Sequence, residues 1–257
     1  MKSFISEDDI EQAILNKLSD KAFGYNIILC DANPDKREIL PDGTGRTNKR
    51  ECVLPEVLRK SLLRINPTVT EEKIDEVVRS LCANFTGVDI VATNYELYNK
   101  IRNGIQIKIE KNGKEDFDFV KLIDFTDAKN NTFTAVSQMW IQGQQYWRRP
   151  DVLIFVNGLP FVFIELKNST VKVEEAYNRN LQDYIRDIPN LFAFNQICVL
   201  SNGLETRLGA FTATYDDFFE WLKVDSEKEK PNRKAIHEEG VSISYLIDGL
   251  LKKRNTN

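Results

Sequence analysis

The spacing of apolar positions switches along the chain between helical and strand periods, and the switches mark its elements. In residues 6–19, SEDDIEQAILNKLS, Ile10, Ala13, Ile14 and Leu18 recur at helical spacing. Ser6 offers an N-cap, and the acids behind it suit the positive end of the helix dipole. A short strand is predicted at 25–30, and DANPDKREILPDGTGRTNKR, rich in Pro, Gly and charge, reads as a loop. Helices are predicted at 51–64 and 70–83, the second opened by Thr70 and two acids; together they make a helical insertion at about 50–84. From residue 104 the period becomes two, giving a hairpin with its turn at Asn112-Gly113, and TFTAVSQMWIQG gives a strand at 132–143.

RRPDVLIFVNGLPFVFIELKN then supplies two strands, 151–156 and 160–166, joined across Asn157-Gly158. Both are almost wholly apolar, which requires cover on both faces and a central place in the sheet. An amphipathic helix follows at 172–187 with Ala176, Leu181, Tyr184 and Ile185 inward, then a buried strand at 194–201, a hairpin through Gly203 and a short helix at 216–223. Residues 224–257 read as a charged linker containing one weak helix, VSISYLIDGLLKK. This order predicts an α/β domain over residues 1–223, with a mixed central sheet flanked by helices.

Composition removes several classes. With 257 residues, 42% hydrophobic and 29% charged, the chain is ordinary globular material for one large domain or two small ones. No run approaches the ~20 apolar residues of a membrane helix, and acids stand where a signal peptide would be apolar; a soluble, cytoplasmic protein with no membrane partner is expected. The net charge of −4 does not announce a nucleic-acid binder, although clustered charge counts for more than the sum. Four scattered cysteines form no CxxC pair and read as buried apolar residues. The one histidine, His237, sits in the charged segment SEKEKPNRKAIHEEG and reads as solvated, so multi-histidine metal sites are excluded. Gly43-Thr44-Gly45 lacks the rest of a phosphate loop, and no Walker A motif occurs. Chemistry is left to carboxylates, lysines and a bound cation.

Three residues in the apolar hairpin do not belong there on packing grounds: Asp151, Glu165 and Lys167. With the turn at 157–158, position i faces 315 − i, so Asp151 faces 164 and lies beside Glu165. Glu165 and Lys167, two apart, share a face. Paired carboxylates repel unless a cation lies between them. Oxygen ligands suit Mg²⁺, and a nearby lysine can orient a bound water; together these equip a site for phosphodiester hydrolysis. The plainer alternative is a capped hairpin with a structural Glu–Lys pair. Against it, Glu165 ends the apolar run LPFVFI, where burying an acid without function is costly.

The segment resembles the PD-(D/E)xK signature of the nuclease domain in type I restriction enzyme motor subunits, commonly called HsdR. LRKSLLRINP, VKLIDF, NTFTAVSQMW, IPNLFAFNQICVLSNG and LETRLGAFTATYDDFFEWL resemble blocks of the same family in the same order, over roughly residues 5–223. The resemblance implies a restriction-endonuclease-like core with catalytic Asp151, Glu165 and Lys167. Mg²⁺, or Mn²⁺ in its place, would be held by Asp151, Glu165 and the Leu166 carbonyl. It also implies a Gln-xxx-Tyr element: Tyr184 fits the tyrosine, with Asn180 where glutamine is expected, while packing on the sheet alone would equally explain Tyr184. From their position just before Asp151, Arg148 and Arg149 are expected at DNA phosphate, with a place merely flanking the strand as the plainer alternative. Glu11 either approaches the site, as first-helix acids do in related nucleases, or lies on a solvated face. Duplex DNA and methylation and specificity subunits are the implied partners. ATP would act only in a longer polypeptide whose translocase motor lies beyond residue 257. A stand-alone nuclease and a catalytically silent docking domain are the alternatives.

Overall fold

The apolar hairpin lies at the middle of a seven-stranded sheet in the computed structural model, which describes residues 4–83, 85, 89–111 and 113–252. In chain order the elements begin with α1 (Glu7–Ser19), β1 (Asn26–Leu29), α2 (Pro55–Ile65), α3 (Glu71–Leu81) and α4 (Ile90–Asn103). The strands β2 (Ile105–Lys111), β3 (Lys114–Val120), β4 (Phe133–Ser137), β5 (Ile141–Gln142), β6 (Trp147–Arg148), β7 (Val152–Val156) and β8 (Leu159–Leu166) follow. Then α5 (Val173–Glu175) runs through a π-helical stretch, Ala176–Leu181, into α6 (Gln182–Asp187). Last come β9 (Ile197–Ser201), β10 (Thr206–Gly209), β11 (Phe219–Glu220), α7 (Arg233–Glu239) and α8 (Ser242–Leu246).

The sheet order is β1-β4-β7-β8-β9-β10-β11, parallel at β1/β4 and β8/β9 and antiparallel elsewhere. Strand alternation divides the core between its two faces. Val152, Ile154 and Ile164 pack with Ile10, Ile14 and Leu18 of α1. Leu153, Phe155 and Phe163 point the other way, onto Leu181, Tyr184 and Phe192. A third cluster joins α2, α3 and α4 to the β2–β3 hairpin and to Leu159 and Phe194. Each such side chain contributes about 1.5–3 kcal/mol on burial. The mixed α/β sheet flanked by helices is the predicted class.

The β7–β8 turn is held from within. Asn157 takes φ +50° and Gly158 φ +85°. The buried Asn157 amide donates to the Leu122 carbonyl at 2.9 Å and accepts from the Thr132 amide at 2.7 Å. A Cβ on Gly158 would lie 2.6 Å from the Leu54 carbonyl oxygen.

Several local expectations are corrected. The 315 − i register holds only beside the turn; an irregularity at Phe161 shifts it, and Val152 pairs with Ile164. One residue further, Asp151 comes opposite Glu165 itself. The strand expected over 132–143 breaks at Gln138, whose φ of +55° ends β4 and redirects the chain. Residues 216–223 are not a helix: a single turn at Tyr215–Asp217 gives way to edge strand β11, with Phe218 buried and Phe219 exposed in strand alternation. Helix α4 was not anticipated, because its apolar stripe is only Leu97 and Ile101. Of the expected turn, Gly113 has φ +73°, whereas Asn112 lies outside the described residues. His237 is not fully solvated: its Nε2 stands 3.3 Å from Glu220 Oε1. The helix expected within a linker packs on the domain, where Ile243, Leu246, Ile247 and Leu251 join the α1 face of the core. Tyr25 donates to the Leu251 carbonyl at 2.9 Å. Among the described residues no helix is long and apolar enough to cross a membrane.

Candidate active site

The pairing of β8 with β9 decides where the acids sit. Glu165 and Leu166 lie parallel to Leu200 and Ser201, and the Lys167 amide continues the ladder by donating to the Ser201 carbonyl at 2.8 Å. Glu165 is thereby trapped between strands with only 2% of its surface exposed. Across the hairpin, Asp151 Oδ2 accepts the Leu166 amide at 2.7 Å, which fixes its carboxylate at the strand mouth. Lys167 Nζ stands 3.3 Å from Glu165 Oε1, 2.8 Å from the Leu166 carbonyl and 4.0 Å from Glu7 Oε1. Asp151, Glu165 and Lys167 therefore form one cluster, with the Leu166 main chain threaded through it.

Burial dominates the electrostatics here. It pushes the Asp151 carboxyl up to about 6, opposed by the Leu166 amide and Lys167 and reinforced by Glu7 and Glu11. Glu165 is driven well above its ordinary value by burial and then by the Asp151 charge, with Lys167 pulling the other way. Its second oxygen, Oε2, is buried with no hydrogen-bond partner. An orphaned carboxylate oxygen beside a second carboxylate is a place for positive charge.

The remaining candidates divide. Tyr184 is buried, edge-on to Phe163 at 5.3 Å between ring centroids, and its hydroxyl donates to the Arg149 carbonyl at 3.0 Å. Burial, then Glu165 and Asp151, hold this phenol far above its ordinary value, with the Asn180 side chain pulling the other way. Tyr184 and Asn180 thus stand together at the site's edge, and the sheet-packing role of Tyr184 is also met. Glu11 is not on a solvated face: it is 7% exposed, accepts from Ser137 Oγ at 2.6 Å and is bonded to the Gln138 amide. Arg148 is committed within the chain, to Asp187 at 2.8 Å and Asp183 at 3.0 Å. Arg149 bonds the Ala32 carbonyl and lies over Trp140 at 5.2 Å.

Sequence reasoning missed Glu7 and Gln138. Glu7 read only as a first-turn acid facing the helix dipole, and no signal in SQMW marked Gln138. Its amide donates to the Asp151 carbonyl at 2.9 Å while its side chain holds Glu11, so it ties the first helix to the Asp151 segment.

Among the described residues no group of three or more His, Cys, Asp or Glu side chains is arranged to hold a metal. The protein offers two carboxylates, one with an unpartnered oxygen, and an adjacent carbonyl. That is a donor set for a hard divalent cation completing its shell with water and substrate oxygens.

Comparison with known proteins identifies the family. The family described as type I restriction enzyme R protein N terminus matches residues 4–217. The type I restriction enzyme HindI endonuclease subunit of Haemophilus influenzae is 32% identical over 96% of this chain and 23% of its own length. The putative type I restriction enzyme MjaIXP endonuclease subunit of Methanocaldococcus jannaschii is 30% identical over 86% of this chain and 21% of its own length. The chain thus spans less than a quarter of the length of these relatives. With its profile matched over most of the sequence, the chain belongs to the family of type I restriction enzyme R protein N-terminal domains.

Proposed function

We propose that the chain is the DNA-cleaving domain of a type I restriction enzyme, hydrolysing phosphodiester bonds of duplex DNA with Mg²⁺. The observation that carries this reading is the buried Glu165 carboxylate, its Oε2 unpartnered, opposite Asp151 and within reach of Lys167. A docking domain has no use for such an arrangement, which costs stability whenever both acids are ionised.

Asp151, Glu165 and the Leu166 carbonyl would hold the ion, which when bound supplies Lewis acidity at the scissile phosphate and an acidified water. The chain's own residues do the positioning. The Leu166 amide fixes the Asp151 carboxylate, and the strand pairing with β9 fixes Glu165. Lys167 reaches the same carbonyl and carboxylate, and is placed to orient the attacking water or to oppose charge growing on the phosphate. Tyr184 braces the Arg149–Asp151 segment through the Arg149 carbonyl. In the longer polypeptide the domain would work in the cytoplasm with methylation and specificity subunits, with ATP spent elsewhere in that chain.

The test is a thermal melt of wild type and Asp151→Asn, with and without millimolar Mn²⁺. Binding to the folded state alone raises the melting temperature by mass action, and the substitution is expected to cancel that rise. Equal metal-induced shifts in the two proteins would mean that the ion binds elsewhere.

A further inference from the structure

Between Gln138 and Arg149 the chain leaves the sheet and returns as a small hairpin, β5–β6, with both feet at Asp151. Gln138 donates its amide to the Asp151 carbonyl at 2.9 Å, and Arg149 is two residues before Asp151. The excursion is anchored on two sides. On one, Arg46 donates to the Trp140 carbonyl at 3.1 Å, and the Gln142 amide donates to the Lys49 carbonyl at 2.9 Å. Arg46 and Lys49 are themselves pinned, each 2.7 Å from the buried Asp42. On the other side the hairpin presses against the end of α6, so closely that a Cβ on Gly143 would overlap the Asp187 carbonyl.

What this support presents is an exposed tip of Gln144, Gln145 and Tyr146. None of the three carries charge, and all can donate and accept hydrogen bonds. Behind the tip, a cleft of about 360 Å³ is lined by Gln142, Gly143, Gln144, Asp187 and two arginines, Arg50 and Arg186. Arg186 is paired with Asp183 and Asp187. The exposed Arg50 guanidinium makes no ion pair among the described residues. From Asp151 to Gln145 is six residues, at most about 20 Å of chain, the length of about six base pairs of duplex.

We propose that β5–β6 is a DNA-contacting element lying along the duplex beside the scissile phosphate, with Gln144, Gln145 and Tyr146 on its sugar–phosphate edge and Arg50 on a flanking phosphate. Uncharged Gln and Tyr side chains are among the usual partners of DNA backbone oxygens, and rigid placement supplies register. The inference rests on the nuclease reading above.

The experiment measures binding of a short fluorescent duplex to the 257-residue chain by anisotropy across a low-salt series, with Ca²⁺ replacing Mg²⁺. The triple variant Gln144→Ala/Gln145→Ala/Tyr146→Ala is expected to bind about tenfold more weakly at every salt concentration, with the salt dependence unchanged, because no counterion is released at the tip. Arg50→Ala is expected to reduce the slope of log K against log salt by about 0.9. Photo-crosslinking checks contact directly: Tyr146→p-benzoylphenylalanine should capture the duplex, whereas the same replacement at exposed Tyr95 on α4 should not. A triple variant that binds like wild type, capture at 95 equal to that at 146, or a wild-type chain that does not bind even at low salt would overturn the assignment. If these fail while the Mn²⁺ melting shift survives, the hairpin reading alone is lost; if the shift is absent from wild type, the nuclease reading falls.

Discussion

Replacing Asp151 by Asn is expected to stabilise the metal-free protein at pH 8 and not at pH 4.5. The folded chain holds the Asp151 carboxyl at about 6, against an ordinary value of 3.8. Between those values the folded state keeps a proton that the unfolded state has released, so stability falls as pH rises through the window. Above pH 6 the full cost applies, about 3 kcal/mol. Asn keeps the shape and an oxygen for the Leu166 amide, but gives up attraction to Lys167. The net gain at pH 8 is therefore set at about 1–2 kcal/mol, or about 3–6 °C in melting temperature for a domain of this size. Urea unfolding of both proteins from pH 8 down to pH 4.5 reads the difference directly. It should shrink by about 2 kcal/mol over that range, reaching zero or below. A variant less stable than wild type at pH 8, or a difference independent of pH, would refute the account of Asp151 as a carboxylate held against its own burial.

Other expectations follow from single features. On the proposed reading, Glu165→Gln and Lys167→Ala carried in an assembled type I restriction enzyme should each abolish DNA cleavage while sparing ATP hydrolysis; normal cleavage by either would remove it from the site. Gly158→Ala should destabilise by about 3 kcal/mol or more in urea, since it joins a positive φ to a clash with the Leu54 carbonyl. Asp42→Asn should cost about 3–5 kcal/mol, because Arg46 and Lys49 are left buried without their counter-charge. Arg148→Ala should appear first as lost stability, measurable by melting, because it strips one of two cations from the buried Asp187 carboxylate.

The hairpin around Asn157-Gly158 was legible because nothing but a doubly covered strand pair explains two such apolar runs, and the acids stood out against them. The one-residue slip at Phe161 was not legible: an irregularity in pairing leaves no mark in composition, yet it moves Asp151 from beside Glu165 to directly opposite. Residues 216–223 misled because DDFFEWLK has enough apolar positions for either period, and pairing with β10 decided for the strand. Glu7, Glu11 and Gln138 were obscure for a different reason. Their roles depend on α1 crossing the sheet at β4 and β8, a tertiary contact that local patterning does not encode.

That crossing also bears on how the chain is made. Strand β1 pairs with β4 more than a hundred residues later, and the packing around α1, begun by the sheet, is completed by Ile243 to Leu251. The Tyr25–Leu251 hydrogen bond spans 226 residues. At about 5–20 residues per second, a ribosome needs roughly 10–45 s to cover that distance. Throughout that time Ile10, Ile14 and Leu18 have been synthesised but lack their last neighbours. A nascent chain stopped at residue 223 would have this stripe packed on Val152, Ile154 and Ile164 but its remaining flank open to water, and synthesis through Leu251 would close it.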